Sequence, residues 1–196
     1  MYVRDARNRD EVWLLDHIEE MGLDDTAFRS RDYVVAVDEE TGDRAGFGRF
    51  RVHKVDGEPT HCELTSVGVL GPWRGQGVGA HVVERLLAEA GDEDFDTVYS
   101  LTDRPEYLVQ FGFDPIDVDA LPAELRERLR AKRESIAPEA VPMAIGVGDF
   151  EMPPRLRRRF KDAAPAGDED PAVDERAEDF GIDPDSATYK YDTGRR

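Results

Sequence analysis

Residues 63–80 run Glu-Leu-Thr-Ser-Val-Gly-Val-Leu-Gly-Pro-Trp-Arg-Gly-Gln-Gly-Val-Gly-Ala, with glycine at the alternating positions Gly75, Gly77 and Gly79. Glycines let consecutive backbone N–H groups turn toward one point and let a ligand approach the main chain, and a helix that starts there adds partial positive charge. The spacing predicts an anion cradle, and phosphate is the anion that fits it. A nucleotide-triphosphate loop needs Lys-Ser/Thr directly after its last glycine, whereas Ala80 and His81 follow Gly79. The dinucleotide pattern begun at Gly75 and Gly77 needs a third glycine where Ala80 stands. What remains is Arg74-x-x-Gly77-x-Gly79, with one carboxylate, Glu63, eleven residues before Arg74 on the preceding apolar run.

The elements that must position these groups follow from periodicity. Residues 1–5 read as a strand, and Asp10 precedes Val12, Leu14, Leu15, Ile18 and Met21 at helical spacing. Leu23 to Arg29 reads as a short second helix. Residues 32–37 and 44–52 read as a hairpin, followed by the strand that holds Glu63, the glycine loop and an amphipathic helix over 80–90. Beyond it come a strand over 97–102, a short helix over 105–110, a strand over 113–118, a helix over 122–135 and a strand over 142–147. This order is mixed α/β.

Composition narrows the partners. The net charge of -18 and pI near 4.6 argue against nucleic-acid binding, which depends on neutralising phosphates. Lys54, Lys132, Lys161 and Lys190 are the only lysines, and an acidic, Arg-over-Lys surface is what a halophilic cytoplasm favours. No apolar run approaches the ~20 residues of a membrane span. The N-terminus does not read as a signal peptide, so no membrane partner and a cytoplasmic location are expected. Cys62 is the single cysteine, and its plain reading is a small strand residue. His17, His53, His61 and His81 lack metal-ligand spacing, so no metal is expected.

Arg74-x-x-Gly77-x-Gly79 resembles the acyl-CoA pyrophosphate motif [Q/R]-x-x-G-x-[G/A] of the GNAT superfamily of N-acyltransferases, and the strand carrying Glu63 is similar to the strand before that motif. The resemblance implies the GNAT-like fold, an α/β fold whose central sheet splays, and acetyl-CoA as co-substrate. Arg74, Gly75, Gln76, Gly77, Val78, Gly79 and Ala80 would then hold the pyrophosphate. Val69 would meet the pantetheine arm, and Val67 would meet the acetyl group, its backbone N–H stabilising the oxyanion. Glu63 would be the base, directly or through a water, because a protonated amine is not a nucleophile. Many members carry a Tyr four residues before the Gly of a Gly-Phe pair. Here that position is Leu108, and Tyr107 lies one residue earlier, ~100° round a helix.

Residues 101–147 carry a narrower resemblance to N-acetylglutamate synthase-like acetyltransferases, through Leu101-Thr102, Tyr107 to Phe113, Pro115 to Pro122 and Arg133 to Met143. Ala137 stands where those proteins often have Cys. The implied acceptor is the primary amine of a small amino acid or a related compound. A protein N-terminus is the alternative acceptor, and a non-catalytic acyl-CoA-binding regulatory module is the alternative role. Arg29, Arg31, Arg49, Arg51 and His53 lie where the family builds its acceptor site. Arg49 and Arg51 share one strand face, which reads first as a solvated face and second as a carboxylate clamp.

The expected domain spans residues 1–150. Past Phe150 a basic run, Arg155 to Lys161, leads into a stretch rich in Ala, Pro, Asp and Glu that lacks the apolar surface to offset its ordering entropy. Residues 151–196 therefore read as an acidic tail. Phe180, Ile182, Tyr189 and Tyr191 are the residues that could pin it to its own domain or to a second copy of the chain, a homodimer.

Overall fold

The computed structural model describes residues 1–57 and 59–166. Among the described residues seven strands, β1 (Tyr2–Asp5), β2 (Tyr33–Val37), β3 (Arg44–His53), β4 (His61–Val69), β5 (Thr97–Thr102), β6 (Asp114–Pro115) and β7 (Val141–Gly146), form one sheet in the order β1-β2-β3-β4-β5-β7-β6. Neighbours are antiparallel except β4 and β5, which are parallel. The helices are α1 (Glu11–Glu20), α2 (Val78–Asp92), α3 (Pro105–Val109), α4 (Ala123–Ser135) and α5 (Pro154–Lys161).

Alternation along the strands sorts residues between two apolar layers. Val34, Ala36, Cys62, Leu64 and Val98 meet α2, whose Val78, Val82, Val83, Leu86, Leu87 and Ala90 recur at helical spacing and are buried. Burying each of the larger of these side chains contributes about 1.5–3 kcal/mol. On the opposite face Tyr33, Val35, Val37 and Phe47 pack on Leu14 and Ile18 of α1. Farther along that face Leu101 packs on Leu125 and Leu129 of α4. Cys62 is buried in the α2 layer, and that burial pushes its thiol pKa far up, away from the reactive range.

The chain departs from the expected element order at three places. No helix forms at 23–29. Asp24 Oδ1 accepts from the Thr26 N–H at 2.9 Å, Ser66 Oγ donates to the Asp24 carbonyl at 2.7 Å, and Arg49 takes the carbonyls of Thr26 and Ala27. With those carbonyls engaged and Ala27 at φ 52, a helical ladder cannot close. The strand expected over 113–118 shortens to Asp114–Pro115: the Ile116 N–H still reaches the Pro142 carbonyl at 3.1 Å, but Pro142 has no N–H to return to Ile116, and the pairing ends there. The basic run after residue 150 forms α5, which buries Leu156 and Phe160; residues 167–196 of the expected tail lie outside the described residues. Among the described residues no helix is long and apolar enough to cross a membrane.

Candidate active site

β4 and β5 pair only from Cys62↔Val98 to Leu64↔Ser100. Ser100 Oγ donates to the Leu64 carbonyl at 3.1 Å, and beyond that point the two strands part. A bulge marks the same place: Phe47 faces Gly68 while Arg49 faces Thr65, so β4 carries one more residue than β3 over this stretch. Ser66 absorbs it at φ 52, held by its bond to the Asp24 carbonyl. The result is a gap whose wall is the main chain of 65–69, without ladder partners on the β5 side. Val67 and Val69 are only half-buried there, unlike residues 62–66 before them.

At the end of that wall the chain turns into the glycine loop. Gly75 and Gly77 have φ of 72 and 78, the left-handed region, and Gly77 caps α2. The first intrahelical bond runs from the His81 N–H to the Gly77 carbonyl, which leaves the N–H groups of the first turn without helical partners. No acidic side chain lies in that turn. These features suit an anion, and they are made of backbone. Side chains are excluded: a Cβ at Gly77 would collide with the Leu156 carbonyl of α5, and a Cβ at Gly79 with the Tyr107 hydroxyl. Arg74 is exposed and donates from Nε to the Val69 carbonyl at 3.2 Å.

Tyr107 thus reaches the start of α2, beside Gly79 and Val69. Its helix, α3, is only five residues long, and the direction of that axis, not the offset within it, decides where the phenol lies. Burial pushes its pKa up to about 12, so the hydroxyl is neutral at working pH.

At the other end of the gap, on the α1–α4 face, lies a polar cluster. Glu63 is fully buried; Oε2 sits 2.8 Å from His53 Nε2 and 3.3 Å from Arg128 Nε, while Oε1 has no partner among the described residues. Arg51 stands directly across the strand pair from Glu63, with a buried Nη1 that is unpartnered among the described residues. Arg49 is fully buried, its guanidinium 5.3 Å from the Tyr33 ring centre. Arg128 also pairs with Asp24, and Lys132 donates to the Leu101 carbonyl at 2.6 Å. Burial lowers the pKa of Arg51, Arg128 and Lys132; for Lys132 the charge of Glu63 works partly against this. Four cations therefore surround two carboxylates in a chain whose overall charge is -18.

The structure thus draws Arg49, Arg51 and His53 toward Glu63, and the strand face that reads as solvated is buried at Arg49 and half-buried at Arg51 and His53. Arg29 and Arg31 stay outside, exposed and paired with Asp32. Asp24, Arg128 and Lys132 escape a sequence reading. The spacing of Arg128 and Lys132 on one side of α4 was available, but Arg126, Arg130 and Arg133 spread cations over the rest of the helix outside Leu125 and Leu129, so the pair does not stand out. Among the described residues no group of three or more His, Cys, Asp or Glu is placed to hold a metal. A separate open groove of about 1140 Å³, lined by His61, Glu124, Arg126 and Arg130, contains neither Glu63 nor the loop.

A family model described as Acetyltransferase (GNAT) family matches residues 2–111. Among solved structures, N-acetylglutamate synthase from Neisseria gonorrhoeae, complexed with coenzyme A and N-acetyl-glutamate, superposes with a TM-score of 0.60 at 16% identity. The match covers 74% of this chain and 35% of that one, so the chain spans about a third of that synthase. Rv2747 from Mycobacterium tuberculosis, in complex with CoA, gives a TM-score of 0.62 at 21% identity over 74% of this chain and 99% of that one. Naa50 from Arabidopsis thaliana, bound to a bisubstrate analogue of CoA and an acetylated peptide, gives 0.52 at 14% identity over 74% and 97%. At these identities the likeness is one of fold.

Proposed function

The chain belongs to the acetyltransferase (GNAT) family, and on that premise we propose that it moves an acetyl group from acetyl-CoA to the primary amine of a small amino acid or a related carboxylate-bearing amine. The observation that carries the acceptor is the cluster around buried Glu63 of Arg49, fully buried, and Arg51, Arg128 and Lys132, half-buried. Desolvated cations of this kind suit a small acid, and Arg51, which has an unpartnered buried N–H, offers a fork for its carboxylate.

Acetyl-CoA supplies the activated thioester. The loop from Arg74 through Ala80 holds its pyrophosphate on backbone N–H groups, and the open edge of β4 leads the pantetheine past Val69 to the acetyl site at Val67. Glu63 takes the amine proton at Oε1, its free oxygen, while Oε2 stays tethered by His53 and Arg128. The Val67 N–H faces the charge that develops on the acetyl oxygen. Tyr107 provides a neutral hydroxyl beside Val69 that can protonate the departing thiolate.

A protein N-terminus is the second acceptor class, since the Naa50 structure bears a peptide analogue on the same fold. A non-catalytic acyl-CoA module would leave the buried Glu63 cluster without a use. A thiol-release assay with acetyl-CoA at high salt, across free amino acids, polyamines and N-terminal peptides, separates these readings. Turnover with free amino acids is expected. Turnover with peptides alone, or with no amine at all, would overturn the assignment.

A further inference from the structure

α5 lies beyond the segment that the family model matches, and it sits on the phosphate loop. Its apolar side is fixed. Leu156 and Phe160 are buried, Phe160 stacks on His81 of α2 with ring centres 3.7 Å apart, and the Leu156 carbonyl abuts Gly77. The loop is fastened from the other direction too: Gln76 exchanges two hydrogen bonds with the backbone of Ala164, both 2.9 Å. The opposite side of α5 is cationic, with Arg155, Arg157, Arg158, Arg159 and Lys161 exposed. Arg157 pairs with Glu84. Arg155, Arg158 and Arg159 instead line a cleft of about 550 Å³ with Gly75, Gln76 and Asp162. Arg159 gives one N–H to the Gly75 carbonyl at 3.1 Å, and the Arg158 side chain makes no hydrogen bond or ion pair among the described residues.

Three arginines against one aspartate, in a chain of net charge -18, form a local site for a compact anion. Its position says which one. Glu63, Val67 and Val69 follow one another along β4, and past them lies the glycine loop, with open N–H groups at the start of α2 and the arginines against Gly75 and Gln76. CoA has the same order: acetyl, pantetheine, pyrophosphate, and last a ribose bearing a 3′-phosphate. That last group is close to dianionic at neutral pH and suits bidentate arginine. We infer that Arg158 and Arg159 of α5, with Gly75 and Gln76, form the subsite for the 3′-phosphate of CoA, so that α5 gives the protein selectivity for CoA over nucleotides lacking that phosphate. This inference rests on the acyl-CoA reading above.

Calorimetric titration of the full chain with CoA and with 3′-dephospho-CoA tests it. The wild type should bind CoA about tenfold or more tighter, as expected when a charge-assisted contact is lost. Arg158→Ala, which removes no hydrogen bond to the loop, should narrow that ratio, and the Arg158→Ala/Arg159→Ala double variant should bring it near one without changing the affinity for 3′-dephospho-CoA. Equal affinities in the wild type would overturn the subsite. So would a double variant that weakens both ligands alike, since the arginines would then serve the loop itself. A wild type that binds neither ligand would remove the acyl-CoA reading and the subsite with it.

Discussion

At the proposed cofactor end of the β4–β5 gap the candidate binding groups are backbone amides of consecutive residues, Gly75 through Ala80. At the other end they are side chains of Asp24, Arg49, Arg51, His53, Glu63, Arg128 and Lys132, drawn from a loop, two strands and a helix. The two ends differ in what they tolerate. The cradle requires the absence of side chains and is indifferent to most neighbours, whereas the cluster requires specific charges held against one another away from water. In the cluster, removing any one charged member leaves a buried partner uncompensated. On the proposed function, the same fold would carry a cofactor end defined by backbone geometry and an acceptor end defined by side-chain identity.

The largest effect that separates the ends is expected at Glu63. Glu63→Gln keeps the shape of the side chain but cannot accept the amine proton, and loss of a general base typically lowers the rate ~10²–10⁴-fold. kcat should fall by that order while calorimetry finds acetyl-CoA affinity nearly unchanged. A kcat within about threefold of wild type, with chemistry rate-limiting, would reduce Glu63 to a structural partner of Arg128 and His53.

Next in size is the converse experiment at the cradle. Gly77→Asp places a carboxylate in the left-handed position, against the Leu156 carbonyl and beside the proposed pyrophosphate site. Like charge at such a site costs several kcal/mol, so acetyl-CoA affinity should fall about 10²–10³-fold. Gly42→Asp is the control, since Gly42 has the same φ of 78 with open space around it, and affinity there should be unchanged. Equal losses in both variants would mean that backbone strain, not the cradle, is responsible.

The smallest effect concerns how α5 is held over the loop. His81 stacks on Phe160, and burial, partly opposed by its bond to the Gly77 carbonyl, lowers its pKa. With a folded pKa below the ordinary value of about 6.5, the unfolded chain takes up the proton first. The contribution of neutral His81 to stability is therefore complete above about pH 6.5 and declines as pH falls below it. Melting curves at pH 8 and pH 5.5 should show the wild type losing about 2 °C more than His81→Phe. Identical losses would show that His81 does not sense the contact.

The difference between the two ends also explains what the sequence made legible. The cradle is contiguous, and its spacing alone excluded the triphosphate and dinucleotide loops, so Arg74 to Ala80 could be placed on a strand–loop–helix without coordinates. Glu63 stands out as a candidate because it lies on that strand, eleven residues before Arg74. The acceptor cluster could not be assembled in the same way, because Asp24 and Arg128 are brought to Glu63 only by the loop after α1 and by the packing of α4. That loop was itself misread as helical: its periodicity is local, whereas Arg49 and Ser66, which take its carbonyls, lie more than twenty residues away. Tyr107 reached Gly79 for a related reason, since a five-residue helix does not announce its axis. α5 was hidden by composition, its five cations masking the pair Leu156 and Phe160 that docks it.

The account stands most directly on the acceptor's carboxylate, because that is what the arginines around Glu63 are assigned to meet. The deciding measurement is the steady-state rate with a free amino acid and with its carboxamide, in the wild type and in Arg51→Ala, at saturating acetyl-CoA. The wild type should prefer the acid about tenfold or more in kcat/KM, chiefly through KM, as expected for a charge-assisted contact. Arg51→Ala should lose most of that preference while the KM for acetyl-CoA stays put. Equal use of acid and amide by the wild type, or an undiminished preference in Arg51→Ala, would contradict the assignment of the cluster to a substrate carboxylate.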